Sequence, residues 1–320
     1  MIHIAKDGSG DFTSVQAALD TLSPDNREEV VLFIHKGIYE EQITVTVPHV
    51  TMIGEGDSPS DTVLTYYLYA RELLPDGMKR GTFRSYSCII DTHDFKAENL
   101  TFQNSSGNAN TAGQALAMYA DGDRLHFVNC RFISGQDTLF TGPLPPKELQ
   151  PNGFIGPKQF APRINGRHLY EKCYIEGDID FIFGSATAYF DECTFHSNEI
   201  GREVNGYVTA PSTPEGQEYG YVMNRCRFIS DTCRPESVYL GRPWRNFAKT
   251  VLINCYMGPH IKPEGWHDWN KPEARDTMFF GEYGSYGPGG TMDMRPDWVK
   301  RLGEDELAKY TKEAVLGAEF

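Results

Sequence analysis

Two aspartates, Asp137 and Asp180, follow two cysteines at the same distance along the chain. Asp137 lies seven residues after Cys130, and Asp180 lies seven residues after Cys173. If the cysteines stack on adjacent parallel strands, the aspartates stack as well, about 4.8 Å apart. Two carboxylates this close have split pKa values, so that one can act as an acid and the other as a base or nucleophile. A stacked pair could instead bind Ca²⁺, and the spacing alone leaves both possibilities open.

The local sequence around Asp180 is strongly apolar. In the run Ile179–Gly184 the alternation of a β-strand puts Ile179, Phe181 and Phe183 on one face and Asp180 on the other. A carboxylate in such a strand lowers stability unless it has polar partners. The alternative to a functional Asp180 is therefore a structural aspartate that is satisfied by hydrogen bonds.

Two glutamines accompany the aspartates. Gln136 precedes Asp137 directly, and Gly135 before it permits the bend that would let both side chains face one cleft. Gln114 lies about one repeat earlier in the chain. Amide side chains can stabilise an oxyanion without adding charge, so we predict an oxyanion hole here.

Leu240-Gly241-Arg242-Pro243-Trp244 places a guanidinium between a glycine and a proline. Arg242 can hold a carboxylate through two parallel hydrogen bonds. Trp244 and Trp266 offer flat faces on which sugar rings can stack, and a buried core position is the alternative for each of them.

A four-residue pattern recurs through most of the chain. Each copy reads polar, Cys or Leu, variable, large apolar, and the cysteines follow one another after 43, 20, 33 and 29 residues. A fixed pattern at irregular spacing is typical of stacked coils with inserted loops. It predicts an all-β fold, a single-stranded right-handed parallel β-helix with an inward cysteine ladder, and a β-sandwich is the alternative. The copies are Asn99–Phe102, Asn129–Phe132, Lys172–Ile175, Glu192–Phe195, Arg225–Phe228 and Asn254–Met257.

Two terminal helices and two long insertions are expected outside these coils. We expect an N-terminal capping helix that starts at Thr13 or Ser14 and runs to Leu22, and a helical C-terminal tail in residues 295–320 with Asp305 as a cap. Residues 141–166 and 66–83 are the longest insertions and are candidate binding loops.

Composition limits the classes of function. The 320 residues carry a net charge of −14, which argues against nucleic acids and anionic membranes as partners. No apolar run is long enough for a membrane span, and no Cys/His set has the spacing of a zinc site. We expect one domain over residues 1–320 and a monomer. We find no signal peptide, and so expect the chain as it stands to be cytoplasmic, or secreted if it has been trimmed.

Together these motifs resemble those of the pectin methylesterase (pectinesterase) family, and the resemblance covers nearly the whole chain. No single motif is decisive, but their number and order are specific. The matching segments are Gly37–Glu41, Gln114-Ala115, Gly135–Leu139, Tyr174–Gly184, Leu240–Trp244 and Gly281–Gly289.

The resemblance implies a right-handed parallel β-helix and hydrolysis of galacturonate methyl esters without a metal or cofactor. It implies that Asp180 is the nucleophile and that Asp137 is the general acid and then the base. Gln114 and Gln136 would form the oxyanion hole, and Arg242 would orient Asp180 and keep it ionised.

The expected partner is a methyl-esterified galacturonan or oligogalacturonide, as found in plant cell walls. We expect Trp244, Trp266 and Phe181 to bind this substrate. Because the chain is acidic, we also expect it to prefer esterified, less charged stretches. The absence of a signal peptide favours short oligogalacturonides over cell-wall pectin.

Three other readings remain. Gly56-Asp57-Ser58 and Asp123–His126 look like fragments of a serine hydrolase. A homologue that acts on another ester or on thioesters would keep the two aspartates and reshape the cleft. A non-catalytic carbohydrate-binding β-helix would have lost one aspartate or Arg242, and all three residues are present.

Overall fold

The chain winds into a coil whose strands form three parallel sheets. The computed structural model describes residues 1–320, and all pairings between its strands are parallel. Each turn of the coil adds one strand to each sheet in the central part of the stack. This is the predicted right-handed parallel β-helix, and the β-sandwich alternative is wrong because sandwiches are built from antiparallel strands.

The first sheet has eleven strands and runs the whole length of the stack. In spatial order they are Ile2–Ile4, Val30–Ile34, Val50–Gly54, Phe95–Glu98, Leu125–Val128, Arg167–Glu171, Thr187–Asp191, Tyr221–Asn224, Lys249–Ile253, Phe279–Tyr283 and Lys300–Arg301.

The second sheet has eight strands and the third has seven. The second consists of Gly37–Glu40, Thr62–Tyr66, Thr101–Asn104, Arg131–Ile133, Tyr174–Gly177, Thr194–Ser197, Arg227–Ile229 and Tyr256–Met257. The third, which we call the site sheet, consists of Ile43–Val45, Cys88–Ile90, Met118–Ala120, Leu139–Thr141, Ile179–Gly184, Gly206–Pro211 and Val238–Gly241.

The recurring sequence pattern is the corner between the first and second sheets. Its polar residue has a left-handed backbone in all six copies, with φ between 49° and 55°. The next residue, Leu or Cys, turns into the core, and the second-sheet strand begins directly afterwards. The polar positions are Asn99, Asn129, Lys172, Glu192, Arg225 and Asn254.

The cysteines of this pattern form the predicted inward ladder. Each sulfur lies 3.3–3.6 Å from two backbone carbonyls, one on its own coil and one on the preceding coil. All seven cysteines of the chain are free thiols, and burial raises the pKa of Cys130 to about 12. The ladder is therefore a packing element that also satisfies the corner carbonyls. Its members are Cys130, Cys173, Cys193, Cys226 and Cys255.

The left-handed corner predicts a stabilising substitution at Lys172. Asparagine tolerates a positive φ better than lysine does, and the exposed Lys172 forms no salt bridge. We expect Lys172→Asn to raise the free energy of unfolding by about 0.5–1 kcal/mol, measured by thermal denaturation. Lys309→Asn, at an exposed position with φ in the usual range, is the control and should not stabilise. A destabilised Lys172→Asn protein would contradict the strain argument.

One helix lies at the N-terminal end of the coil, and the others lie in its loops and in the C-terminal tail. The α-helices are Val15–Leu19 and Lys312–Leu316, and the 3₁₀ helices are Pro59–Asp61, Thr82–Arg84, Pro272–Asp276 and Glu304–Tyr310. None of them is long and apolar enough to span a membrane.

The terminal helices have the predicted places but not the predicted bounds. Ser14 caps the first helix, which ends at Leu19 rather than Leu22, and the Glu41 carboxylate accepts hydrogen bonds from the backbone N–H groups of Val15 and Gln16. In the tail, Thr311 is the cap of the last helix, and Asp305 lies inside a 3₁₀ helix instead of capping one. The tail packs on the outside of the first sheet, as predicted.

Candidate active site

The predicted catalytic residues all come from the site sheet or from the residues beside its strands. Gln114 precedes Met118–Ala120, Gln136 and Asp137 precede Leu139–Thr141, Asp180 lies in Ile179–Gly184, and Arg242 follows Val238–Gly241. Gln114 bridges to Gln136 on the next coil, and Asp137 lies opposite Asp180. Arg242 comes directly after Gly241, which pairs with Thr209. The stack therefore brings together side chains that are up to 128 positions apart in the sequence.

Asp137 and Asp180 stack on adjacent coils. Leu139 pairs with Ile182, which places Asp137 opposite Asp180, and the Asp137 N–H donates to the Ile179 carbonyl at 3.0 Å. The residues after Cys130 and Cys173 are paired with the same offset of 43, so the predicted register is confirmed. The two aspartates are 7% and 6% exposed.

The alternation predicted around Asp180 is wrong. Asp180 has φ of 50°, and the pairing with the next strand shifts register between Ile179 and Ile182. This irregularity turns both Phe181 and Ile182 into the main core, whereas Phe183 faces the same cavity as Asp180. Asp137 has φ of 64°. Both carboxylates are therefore presented from left-handed backbone positions, which aspartate tolerates better than most residues.

Arg242 clamps Asp180. Its Nε and one Nη donate to the two carboxylate oxygens at 2.8 and 2.7 Å. The guanidinium lies between the rings of Tyr207 and Trp269, 3.8 and 3.7 Å from their centroids. Two hydrogen bonds and two cation–π contacts fix the plane of the guanidinium, and with it the orientation of the Asp180 carboxylate.

The environment distinguishes Asp137 from Asp180. Burial, followed by the nearby charge of Asp180, raises the pKa of Asp137 well above its usual range, and Arg242 offsets only part of this. The arginine binds Asp180 directly and has no such contact with Asp137. The pair thus consists of a salt-bridged carboxylate and a carboxyl group that favours its neutral form. A guanidinium at this position also disfavours Ca²⁺, so the arrangement suits acid–base chemistry better than cation binding.

Sequence reasoning missed Asp178, a third buried carboxyl group beside the pair. Its oxygens accept hydrogen bonds from the N–H groups of Ala109 and Ile179 at 3.1 and 2.7 Å. Burial raises its pKa. These bonds tie the strand that carries Asp180 to the loop around Ala109, so Asp178 has a positioning role.

Gln114 and Gln136 lie side by side on neighbouring coils and are joined by a parallel backbone bridge. Both are half-buried, and both line a cavity of about 380 Å³ together with Asp137, Asp180 and Arg242. All five predicted catalytic residues thus meet in one cavity, where two amide groups can donate to an oxygen atom placed near the aspartates.

The prediction that Trp266 and Phe181 bind the substrate is wrong. Trp266 is 2% exposed, stacks on Phe280 and donates from Nε1 to the buried Glu282, and Phe181 is fully buried in the core. Neither can contact a ligand. Trp244 does line the cavity.

The residue that takes the expected place of Trp266 is Trp269, three positions later. It lines the cavity and stacks on Arg242. The signal was present in Gly265-Trp266-His267-Asp268-Trp269, but only the fold decides which of two nearby tryptophans points outward.

The two insertions form the cavity walls. Thr82 and Phe83 come from the first insertion, and Leu149–Phe154 comes from the second. Arg245 and Lys271 complete the rim and, like the wall residues, were not among the predicted site residues. Their roles depend on loop placement, which no local motif revealed.

The residues that suggested a serine hydrolase do not form a catalytic group. Ser58 caps a short 3₁₀ helix, Asp123 binds Arg167, and His126 pairs with Glu171 at 2.7 Å. That alternative is therefore wrong.

Comparison with known proteins shows which family this chain resembles. The Pectinesterase family model matches residues 1–143 and 163–319. Among curated relatives, Pectinesterase 31 of Arabidopsis thaliana is 34% identical over 100% of this chain and 93% of its own length. Pectinesterase QRT1 of Arabidopsis thaliana is 33% identical over 100% of this chain and 77% of its own length.

Solved structures of pectin methylesterases have folds similar to that of this chain. Pectin methylesterase PemA from Erwinia chrysanthemi has a TM-score of 0.80 at 29% identity, covering 99% of this chain and 97% of that one. Pectin methylesterase from carrot has a TM-score of 0.82 at 27% identity, covering 100% and 94%. A pectin methylesterase in complex with a hexasaccharide has a TM-score of 0.78 at 29% identity, covering 99% and 97%. The extent of the family match and the full-length relatives show that this chain is an esterase that belongs to the pectinesterase family.

Proposed function

We propose that the protein hydrolyses the methyl esters of galacturonate residues in pectin or oligogalacturonides and releases methanol. The observation that carries this proposal is the stacked aspartate pair, in which Arg242 clamps only Asp180. Two aspartates with different environments, beside two amide donors, can divide the roles of nucleophile and acid in an ester hydrolysis.

In the first half of the reaction the Asp180 carboxylate attacks the C6 carbonyl carbon of the methyl ester. Negative charge develops on the carbonyl oxygen, where the amide groups of Gln114 and Gln136 can donate hydrogen bonds. One such donor contributes about 3–4 kcal/mol to the transition state in comparable sites. The bond to the methoxy group then breaks, neutral Asp137 gives it a proton, and methanol leaves an acyl-enzyme anhydride.

In the second half water attacks the acyl carbon of the anhydride. Asp137, now a carboxylate, takes a proton from this water, and the bond between the acyl carbon and the Asp180 oxygen breaks. The products are the galacturonate acid, a free Asp180 carboxylate and a protonated Asp137. Arg242, which lies between the rings of Tyr207 and Trp269, can then bind the freed Asp180 carboxylate in its starting orientation.

A galacturonate-chain substrate is consistent with the cavity. Trp244 and Trp269 offer aromatic faces at its wall, and related pectin methylesterases have been solved in complex with hexasaccharides. A second cavity, lined by residues of both insertions, shares Thr82, Gln114, Gln150 and Gly153 with the first, and this extended space suits a chain better than a single small ester.

The proposal is tested by methanol release from methyl-esterified galacturonan and from methylated oligogalacturonides. We expect release from at least one of them, with no effect of serine-directed inhibitors. Turnover of acyl thioesters without methanol release from either carbohydrate would favour the thioester alternative. Binding of the carbohydrate without any release would favour a non-catalytic protein.

The raised pKa of Asp137 predicts a stability effect that depends on pH. Below the usual value of 3.8 both the folded and unfolded chains are protonated here, so burial has no electrostatic cost. As pH rises, the unfolded chain ionises first, and the folded state loses stability relative to it. The Asp137→Asn protein should not undergo this loss. We therefore expect its Tm, relative to that of the wild type at the same pH, to increase from about pH 3 to about pH 7. A difference that is the same at both pH values would contradict the raised pKa.

A further inference from the structure

The two rings that hold Arg242 have further partners of their own. Tyr239 stacks on Tyr207, with ring centroids 5.4 Å apart and planes 9° from parallel. The Lys271 ammonium lies 4.8 Å from the centroid of the Trp269 ring. The orientation of Arg242 therefore depends on a longer stack of rings and cations.

His267 contacts both ends of this arrangement. The centroid of its ring lies 5.9 Å from that of Tyr207 and 5.1 Å from that of Tyr239. Its Nδ1 accepts a hydrogen bond from the backbone N–H of Trp269 at 2.9 Å. His267 thus joins the tyrosine pair to the backbone of Trp269.

The backbone of His267 is fixed relative to Arg242. Its N–H donates to the carbonyl of Gly241 at 3.0 Å, and Gly241 directly precedes Arg242. The preceding residue, Trp266, forms a parallel bridge with Gly241. A change in the imidazole can therefore affect Trp269 while the backbone of His267 stays in place.

The backbone of Trp269 is strained and needs support from its neighbours. Trp269 and Asn270 have φ of 58° and 54°, a conformation that is rare for a bulky residue and persists only where the surroundings hold it. Asp268 gives part of this support, since its Oδ1 accepts from the Asn270 N–H at 2.9 Å and its Oδ2 binds Arg275. His267 gives the contact that is made directly to the Trp269 N–H.

This hydrogen bond requires a neutral imidazole. A backbone N–H can only donate, so Nδ1 of His267 must carry no proton, whereas both nitrogens of an imidazolium carry one. Burial lowers the pKa of His267, Asp268 offsets part of this, and the charge of Arg242 adds to it. The bond is therefore present at neutral pH and is lost as pH falls through a pKa that lies below the usual value of 6.5. The other groups that face the imidazole are the rings of Tyr207 and Tyr239.

We propose that His267 is a positioning residue, which holds Trp269 against Arg242 while its imidazole is neutral and releases it when the imidazole is protonated. This rests on the proposed function, in which Arg242 orients Asp180, and adds control by pH to it. Release of Trp269 removes one of the two rings that fix the guanidinium, so Asp180 is less well oriented for attack. His267 does not itself line the cavity, and it acts through Trp269 rather than on the substrate.

The first test compares kcat/KM for methanol release by the wild type, His267→Leu and His267→Asn from about pH 7 to about pH 4. At about pH 7 we expect His267→Leu to lose about three- to tenfold, as for one missing hydrogen bond. Asparagine offers an acceptor oxygen that does not titrate and can bind the N–H two residues later, so His267→Asn should stay within about twofold. As pH falls, the activity of His267→Asn relative to the wild type should rise by about three- to tenfold, because Asp137 and Asp180 titrate in both proteins and only the wild type loses the bond.

His93→Asn is the matched control for the pH profile. His93 is an exposed histidine that precedes the first-sheet strand Phe95–Glu98 and does not line the cavity, so its variant should have the profile of the wild type. The proposal is overturned if His93→Asn changes the profile as His267→Asn does. It is also overturned if His267→Leu is as active as the wild type at neutral pH, or if the ratio of His267→Asn to wild type stays constant.

Nuclear magnetic resonance tests the contact without any substrate. The indole Nε1–H signal of Trp269 is the one that the Trp269→Phe protein lacks. We expect this signal to shift with pH in the wild type, with a midpoint below the usual histidine value of 6.5, and to stay constant in His267→Asn over the same range. Such a difference supports the proposal even if no ester is hydrolysed. A signal that shifts alike in both proteins, or in neither, overturns it even if methanol release is observed.

Discussion

Asp180→Asn should lower methanol release by at least about a thousandfold while the protein still folds cooperatively. An amide cannot act as the attacking carboxylate, and loss of a covalent nucleophile is among the most severe changes to an enzyme. Asparagine is accommodated by the backbone, since it tolerates the φ of 50° at this position. The measurements are methanol release and thermal unfolding of the same preparation.

Asp191→Asn is the matched control for this substitution. Asp191 also accepts two hydrogen bonds from an arginine, Arg225, at 2.9 and 3.0 Å, but it lies on the first sheet outside the cavity. We expect it to keep wild-type activity. An Asp180→Asn protein with near wild-type release would remove Asp180 from the mechanism, whatever the control does.

Arg295→Met should destabilise the protein by about 3–5 kcal/mol, because it leaves Glu282 charged and buried without its partner. The side chains of Arg295 and Glu282 are 2% and 0% exposed and meet at 2.8 Å. Glu282 also accepts a hydrogen bond from Trp266, and Arg295 donates to the Gly289 carbonyl at 2.9 Å. Trp266 joins this network three positions before Trp269, the residue that stacks on Arg242.

Chemical denaturation measures this effect. The double variant Arg295→Met/Glu282→Leu should be more stable than Arg295→Met alone, because the unpaired charge is gone. Arg301→Met is the control, since Arg301 faces Asp293 at 3.9 Å with both side chains largely exposed, and we expect a change within about 0.5 kcal/mol. An Arg295→Met protein as stable as this control would contradict the role of the network.

The sequence was sufficient for the parts of the site that the repeat determines. The equal distances from Cys130 to Asp137 and from Cys173 to Asp180 predicted that the two aspartates stack, because the corners and strands between them have equal length in both coils. Arg242 could be recognised from its place between glycine and proline. These inferences depend on register, and a repeated pattern specifies register well.

The errors lie where the chain leaves regular geometry. The register shift after Ile179 places Ile182 in the core and Phe183 at the cavity, against the expected alternation, and no residue type in that run signals such an irregularity. Trp266 and Trp269 are equally plausible in sequence, and the buried Glu282 that selects Trp266 for the core is 16 positions away. The walls of the cleft come from insertions, whose positions depend on contacts with distant coils.

The paired strands and the insertions affect the divergence of such proteins in different ways. The aspartates, glutamines and arginine are placed by strand pairing, so a change in coil length would separate them and would be eliminated by selection. The insertions in residues 66–83 and 141–166 leave the stack and return to it, and their length can change without moving the paired strands. The family model skips residues 144–162, in agreement with this freedom. The reaction and the substrate range can therefore evolve separately in this architecture. Exchange of these two segments between relatives would change the substrate range and leave the reaction the same.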